Sequence, residues 1–207
     1  MRLKATENIV VLGLFLGVIG VLSALLLGAV SQVTREPIER AKQENFARNL
    51  KKLVPDFDAR GAEKEFDGIK FFQVTKSGKV AAIFASASTN EGYAGKIEVL
   101  AALDGAGKVL NLLVTENKET PGLGKDVCER KVVRTISNPF PKVEGLPPNE
   151  LLDQYRGKDA AANWEVAKDG GEFAYRTGAT VTSRALVRLT GKIVKTFAAH
   201  RAEIVED

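Results

Sequence analysis

Hydrophobic residues are concentrated in one uninterrupted segment near the N-terminus of this chain. Ile9 to Val30 contains no charged residue, and the uncharged stretch extends from Asn8 to Thr34. At 1.5 Å per residue, a helix over residues 9–30 is about 33 Å long, which is enough to cross the hydrocarbon core of a bilayer. The pattern predicts a transmembrane helix at residues 9–30, after a short N-terminal segment at residues 1–8.

A cleaved signal peptide is the alternative interpretation of this segment. The apolar region of a signal peptide has about 7 to 15 residues. The run in this chain is longer, although Ala29 and Ser31 resemble a small-residue cleavage site. The length favours an uncleaved anchor.

The charges that flank the span predict its orientation. Arg2 and Lys4 precede it, and Arg35 and Glu36 follow it as a cancelling pair. The positive-inside rule therefore predicts a cytoplasmic N-terminus and a main domain outside the inner membrane of the cell, in the periplasm.

Small residues follow one face of the predicted membrane helix. At 100° per residue they fall within a sector about 80° wide, and the first two form a GxxxG motif, which lets another helix approach closely. The face suggests packing against a membrane partner, while the frequency of glycine in membrane helices is the alternative explanation. The residues are Gly13, Gly17, Gly20, Ala24, Gly28 and Ser31.

A second helical pattern and several strand patterns follow the span. Arg35 to Leu53 alternates apolar and charged residues at helical spacing and is stopped by Pro55, which predicts a stalk or docking helix within residues 31–60. The main domain is predicted at residues 61–207. Two hairpins are expected within it. Their strands are Ile69–Thr75 with Val80–Ala87, and Ile97–Leu103 with Val109–Glu116.

The remaining predicted elements are helices and a loop. Lys125–Ser137 and Leu151–Tyr155 are expected to be helical, with a proline-punctuated loop at Pro139–Pro148 between them, and an amphipathic helix is expected at Ser183–Ile204. The fold class is therefore α+β, with one N-terminal transmembrane helix followed by an extracytoplasmic antiparallel-sheet domain with flanking helices.

Composition excludes several classes of site. The net charge is +4, but basic and acidic residues alternate and form no basic stripe, so no nucleic-acid partner is predicted. Cys128 is the only cysteine and His200 the only histidine, which leaves no ligand set for zinc, copper or an iron–sulfur cluster. No metal ligand and no catalytic residue is assigned. Redox chemistry in this chain would need an organic cofactor.

The segment Thr177-Gly178-Ala179-Thr180-Val181-Thr182-Ser183 precedes the predicted last helix. Small residues leave its backbone open, Thr182 or Ser183 can cap the helix, and the first helical N–H groups favour a phosphate, beside which Thr180 presents a hydroxyl. Taken alone, the segment is also explained as an ordinary helix N-cap.

Two other glycine-bearing segments accompany it. Gly92-Tyr93-Ala94-Gly95 precedes a strand, and Glu119-Thr120-Pro121-Gly122-Leu123-Gly124 follows one. Thr120–Leu123 fits a type II turn, with proline at the second position and glycine at the third. Glycine lets a flat ring lie against the main chain, and Glu119 and Thr120 can bond its polar edges. An ordinary connection is the alternative for this segment.

Together these motifs resemble the FMN-binding domain found in the G subunit of Rnf-type electron-transport complexes and the C subunit of the sodium-translocating NADH:quinone reductase. The resemblance covers nearly the whole chain and also includes Tyr155-Arg156-Gly157-Lys158, and the length is closer to the Rnf G subunit.

The resemblance implies FMN held by a phosphoester bond to Thr180, attached by a separate flavin transferase, and electron transfer within a membrane complex that moves Na⁺ or H⁺. Other membrane subunits are the implied partners. One position departs from the family pattern, since Ala174 stands where an acidic residue is usual. The implied cofactor residues are Thr180, Glu119, Thr120, Leu123, Gly124, Thr177, Gly178, Ala179, Thr182 and Ser183.

Two other functions remain open at the level of sequence. One is a free-standing extracytoplasmic flavin reductase or respiratory accessory flavodomain, which would need its own substrate site. The other is a membrane-anchored binding or scaffold module without a cofactor, in which Thr180 is only a capping residue.

Overall fold

The computed structural model describes residues 9–132 and 145–205 and divides the chain into two compact units, Met1–Arg48 and Asn49–Asp207. Helix α1 (Ile9–Leu53) is continuous and contains Pro37. The predicted membrane helix and stalk helix are therefore one element. Its apolar part is long enough to cross a membrane, with a mean hydropathy of 2.5 over the most apolar window. The boundaries predicted at residues 30 and 60 stay predictions.

The second unit is built on an antiparallel sheet in the order β1-β3-β4-β5-β6, with β2 paired to β3. Helices flank this sheet, and the predicted α+β class is confirmed. The strands are β1 (Ala59–Arg60), β2 (Lys64–Phe66), β3 (Ile69–Lys76), β4 (Lys79–Gly92), β5 (Gly95–Leu103) and β6 (Val109–Asn117).

Local turn chemistry produces the hairpins. Ser77 and Gly78 both have positive φ, as a two-residue hairpin turn of type I′ requires. In the second predicted hairpin, Asp104 Oδ1 accepts hydrogen bonds from the N–H groups of Ala106 and Lys108, both at 2.9 Å. Both predicted hairpins are confirmed.

A third hairpin is present that the sequence patterns do not predict. Strand β4 does not end at Ala87 but continues to Gly92, which pairs with Gly95 at the start of β5. The Gly92–Gly95 segment is thus a tight turn between two strands, and β3 to β6 form a continuous meander.

The two faces of the sheet are covered differently. One face packs against α4 (Thr180–Ala199), where the rings of Phe71 and Phe197 lie 6.2 Å apart. On the other face, the rings of Phe72 and Phe84 stack at 5.4 Å. Two leucines from the last turn of α1 are also buried in this unit, and the carbonyl of one accepts a hydrogen bond from Asn111 Nδ2 at 3.1 Å. They are Leu50 and Leu53.

The last helix differs from its predicted bounds of Ser183–Ile204. Helix α4 begins at Thr180 and ends at Ala199, and α5 (Arg201–Val205) follows it. The chain changes direction at His200, whose ring stacks on Phe66 at 4.5 Å. Buried Gln73 donates to the carbonyl of Ile204 at 2.7 Å, which fixes α5 against the sheet.

The helix predicted at Lys125–Ser137 is much shorter in the structure. Helix α2 spans Gly124–Cys128, and residues 133–137 lie outside the described residues. Asn149 ends the helix, because its Nδ2 donates to the carbonyls of Asp126 at 3.1 Å and Glu129 at 2.8 Å. These side-chain bonds replace the next turn of helix.

Asn149 also begins the next helix. Its Oδ1 accepts from the N–H groups of Leu151 and Leu152, so α3 spans Glu150–Asp153 rather than the predicted Leu151–Tyr155. Of the predicted loop at Pro139–Pro148, residues 139–144 lie outside the described part of the chain, and residues 145–148 contain no helix or strand.

Candidate functional site

The three glycine-bearing segments of the sequence meet at the side chain of Glu119. This carboxylate is buried, with 4% of the residue exposed. Its Oε1 accepts a hydrogen bond from the N–H of Ala94 at 3.1 Å, and its Oε2 accepts one from the hydroxyl of Thr182 at 2.8 Å. Glu119 is 25 residues from Ala94 and 63 residues from Thr182 in sequence, and its carboxylate joins all three segments.

Two glycines make room for that carboxylate. A Cβ at Gly92 would lie 2.7 Å from Glu119 Oε1, and a Cβ at Gly124 would overlap Oε2 and lie 2.7 Å from Thr182 Oγ1. The space beside Gly124 is therefore filled by the chain itself. This packing accounts for the glycine at position 124 without a flavin ring lying against the main chain. Flavin contacts of Glu119 and Gly124 stay predictions.

Thr120–Leu123 forms the predicted type II turn. Gly122 has a φ of 81°, and the N–H of Leu123 donates to the carbonyl of Thr120 at 3.2 Å. The turn lies at the surface, and 46% of Leu123 is exposed. Its exposed side chains are available to a ligand or a partner.

Thr180 is the first residue of α4 and is half-buried. Gly178 has a φ of 84°, which bends the chain into the helix. The N-cap is Ala179, and within the described residues no side chain caps the first turn. The prediction that Thr182 or Ser183 caps the helix is wrong, because both lie inside it and their hydroxyls bond elsewhere.

Ser183 and Arg176 connect this helix start to its surroundings. Ser183 Oγ donates to the carbonyl of Ala179 at 2.9 Å and accepts from the N–H of Arg176 at 3.3 Å. Arg176 Nη2 donates to the carbonyl of Gly122 at 3.0 Å and lies 3.2 Å from Asp126 Oδ2. Arg176 thus ties two of the three glycine-bearing segments together, and the sequence analysis did not identify it.

The glycine-bearing segments carry exposed apolar side chains. Val181 is 44% exposed and Tyr93 is 76% exposed, and each belongs to one of the glycine-bearing segments. A Cβ at exposed Gly178 would lie 3.3 Å from Leu123 Cδ2, so the second and third segments are adjacent here. Exposed Thr177 and Thr120 add hydroxyl groups to this surface. Neither Val181 nor Tyr93 is among the cofactor residues predicted from the sequence.

The segment before Thr177 is bound by a side chain from another part of the domain. Gln154 pairs with the backbone of Ala174, donating from Nε2 to its carbonyl at 3.1 Å and accepting from its N–H at 2.7 Å. The two nearby acidic residues are paired elsewhere, Asp169 with Arg184 at 2.7 Å and Glu172 with Lys158 at 2.7 Å. Neither lies at position 174, where the resemblance implies an acidic residue.

Two titratable groups beside the site, Asp126 and Cys128, have shifted pKa values. Lys131, and to a smaller extent Arg176, hold the pKa of Asp126 below its ordinary value. Burial raises the pKa of the Cys128 thiol to about 12, and the nearby Glu119 adds to the effect. Cys128 is therefore a buried neutral thiol at physiological pH.

A groove of about 410 Å³ lies beside β6 and the segment after α2. Its lining includes Lys52, Leu113, Thr115, Arg130 and Leu146, but none of the ten predicted cofactor residues. The surface at Thr180 is thus distinct from this groove.

Comparison with known proteins identifies the family. A family described as the FMN-binding domain matches residues 92–195, a range that begins at the Gly92–Gly95 turn and contains all ten predicted cofactor residues. The chain belongs to the FMN-binding domain family.

Relatives of similar length support this membership. The chain is 32% identical to the G subunit of the ion-translocating oxidoreductase complex of Cereibacter sphaeroides, over 93% of this chain and 86% of the relative. It is 32% identical to the protein of the same name from Pseudomonas aeruginosa, over 99% of this chain and 94% of that protein. The corresponding protein from Shewanella oneidensis is 29% identical over 93% and 91% of the two chains. The similarity therefore extends over the helix as well as the domain.

The residues at Thr180 fit the phosphate of FMN. Helix α4 has 20 residues, no acidic side chain in its first turn and no side-chain cap in the described part of the chain. Its first N–H groups and its dipole therefore favour an anion. Exposed Leu123 and Val181 offer apolar surface beside that position.

Proposed function

We propose that this chain carries FMN bound covalently through a phosphoester to Thr180. The observation that carries the proposal is the position of Thr180, whose hydroxyl-bearing side chain is half-buried at the uncapped start of a long helix. The membership in the FMN-binding domain family supports the identity of the ligand.

The chain's own part in attachment is to present a hydroxyl. A threonine hydroxyl is a weak nucleophile at neutral pH, so a separate flavin transferase supplies the metal and the base. Thr180 Oγ attacks the flavin-side phosphorus of a flavin dinucleotide, and its proton passes to that base. The Oγ–P bond forms, the pyrophosphate P–O bond breaks, and a nucleoside monophosphate leaves. The positive end of the α4 dipole stabilises the negative charge of the flavin phosphate, both before and after its transfer to Thr180.

The function that follows is electron transfer within a membrane complex. When bound, FMN supplies a centre that accepts and passes electrons. The relatives are named as subunits of an ion-translocating oxidoreductase complex, and this name supports membership of such a complex. The ion that we propose for it is Na⁺ or H⁺. Residues 9–30 contain no ionisable side chain that could relay an ion, so other membrane subunits must form the ion path.

The membrane helix and its flanking charges support the proposed arrangement. Residues 9–30 cross the inner membrane once, the N-terminus is cytoplasmic, and the domain that carries Thr180 faces the periplasm. The small-residue face from Gly13 to Ser31 packs against a helix of another subunit.

Mass spectrometry of the full chain tests the site. Co-expressed with a flavin transferase and purified from membranes, the chain should gain the mass of FMN less one water. Thr180→Val, which keeps the side-chain shape, should abolish the adduct, and Thr180→Ser, which keeps the hydroxyl, should retain it.

The outcomes separate the alternatives. An adduct that persists in Thr180→Val overturns the proposed site, and the lack of any adduct favours a binding module without cofactor. If the chain is instead purified from the membranes of its own organism, an adduct without any other membrane subunit favours a free-standing flavin reductase.

A further inference from the structure

We propose that Glu119 is a positioning residue: it orients the side chain of Thr180 for flavin attachment through its hydrogen bond to Thr182. The inference rests on the proposed attachment of FMN at Thr180. Glu119, Thr182 and the N–H of Ala94 are called the Glu119 cluster below. The cluster fixes the first turn of α4 so that the acceptor hydroxyl of Thr180 faces outward.

The contacts of the cluster are buried and specific. Thr182 is 1% exposed and Glu119 is 4% exposed, and their side chains are joined at 2.8 Å. The second carboxylate oxygen is taken by Ala94 at 3.1 Å. Within residues 9–132 and 145–205, no ion pair involves Glu119, so the two hydrogen bonds are the compensation for its burial.

Helix geometry connects this cluster to Thr180. Successive residues are rotated by about 100° around a helix axis, so residues 180 and 182 point about 200° apart. When the Thr182 hydroxyl is held inward by Glu119, the Thr180 side chain must point away from the interior. The half-buried position of Thr180 agrees with this rotation.

The Glu119 cluster also sets the spacing of the three glycine-bearing segments. Gly92 and Gly124 leave the volume that the carboxylate occupies, as described above. Shortening the side chain at position 119 would leave an unfilled space and two unpaired donors. The cluster therefore determines where the Gly92–Gly95 turn and the Thr120–Leu123 turn lie relative to Thr180.

The first test removes the hydroxyl of Thr182 in the full-length chain. Thr182→Val should lower kcat for flavin transfer to Thr180 by about tenfold, with a smaller change in the KM for the chain, because the acceptor hydroxyl is misplaced while the docking surface remains. Intact-mass time courses with purified transferase and flavin dinucleotide give both constants.

Thr190→Val is the matched control. Thr190 is fully buried on the same helix, and its hydroxyl donates to the local carbonyl of Leu186 at 2.8 Å. This variant should label within about twofold of the original chain, even where thermal melting shows a similar loss of stability. If Thr182→Val and Thr190→Val label equally fast, the positioning role is overturned.

The second test keeps the hydrogen bonds but removes the charge. A glutamine at position 119 can accept from the N–H of Ala94 and donate to the Thr182 hydroxyl oxygen. Glu119→Gln should therefore label within about threefold of the original chain, and the double variant with Thr182→Val should be no slower than Thr182→Val alone. A Glu119→Gln variant that labels as slowly as Thr182→Val contradicts the proposal.

Failure of the two proposals can be distinguished. If the original chain gains no adduct at Thr180, the proposed function fails first. If the original chain is labelled at Thr180 and Thr182→Val is labelled equally fast, only the positioning role of the Glu119 cluster fails.

Discussion

Gly124 lies directly against the carboxylate of Glu119, so that a methyl group at position 124 would overlap Oε2 of that carboxylate. The same methyl group would lie only 2.7 Å from the Thr182 hydroxyl, so it would crowd both partners of the Glu119–Thr182 hydrogen bond. A glycine that sequence analysis assigned to a ligand is thus required by the interior of the protein.

Gly124→Ala should destabilise the domain by about 1–3 kcal/mol, because the added methyl group forces the buried carboxylate from its position. Urea unfolding followed by circular dichroism measures the change. Gly105→Ala is the control, since a Cβ there meets no atom within 4 Å. Equal stability of the two variants would show that Glu119 can move freely.

Cys128 should be unreactive in the folded protein. Burial raises the pKa of its thiol to about 12, so at pH 8 the reactive thiolate is about 10⁻⁴ of the total. Reaction with a maleimide at pH 8 should be at least about a hundredfold slower before unfolding in guanidinium than after it. Rapid reaction of the native chain would mean that the α2 region opens readily.

Acid should weaken the link between Asp169 and α4. The guanidinium of Arg184 holds the pKa of Asp169 below its ordinary value of 3.8. A carboxyl whose folded-state pKa is lowered contributes stability above the unfolded pKa, and this contribution is lost as the pH falls through the folded pKa. Asp169→Asn should therefore lower the urea midpoint at pH 7 and reduce the further loss between pH 7 and pH 3.

Glu91→Gln is the control for this pH dependence. Glu91 is exposed, and its carboxylate takes part in no ion pair within the described part of the chain. Its substitution should leave the difference between the two midpoints unchanged. A loss of stability below pH 4 that is the same in Asp169→Asn and Glu91→Gln would argue against the Arg184 contact.

Ala174→Asp should leave the fold intact and preserve or increase flavin labelling. The Ala174 side chain is exposed, and only its backbone is bonded by Gln154, so an aspartate can be accommodated. The substitution introduces the acidic residue that the resemblance implies six positions before Thr180. Ala174→Asn separates charge from size, and slower labelling of Ala174→Asp than of Ala174→Asn would count against this register.

Much of the sheet could be predicted because its signals are local. Alternation of apolar residues and the Ser77-Gly78 turn are both visible within a few positions, and strands β3, β5 and β6 lie close to their predicted bounds. The Gly92–Gly95 hairpin could not be predicted in the same way, because its glycines fit a ligand-binding turn equally well.

The start of α4 depends on contacts that are distant in sequence. Thr180 and Val181 are β-branched and have modest helix propensity, which favours a later start at Ser183. In the structure, Glu119 bonds Thr182 across 63 residues, and Arg176 bonds Gly122 across 54 residues. Such pairings have no local signal, so the three segments and Glu119 could be found from the sequence, while the bonds that join the segments at Glu119 could not.

The buried pair Leu50 and Leu53 determines where a soluble fragment of this chain should begin. A soluble fragment that begins at residue 61, the predicted start of the domain, would lack both leucines and strand β1 (Ala59–Arg60). It would also lose the carbonyl that Asn111 bonds and the guanidinium of Arg60, which lies 4.0 Å from the ring of Phe72. An expression boundary at or before residue 49 keeps Leu50, Leu53 and β1, so residues 49–60 belong to the folded domain and do not merely connect it to the membrane span.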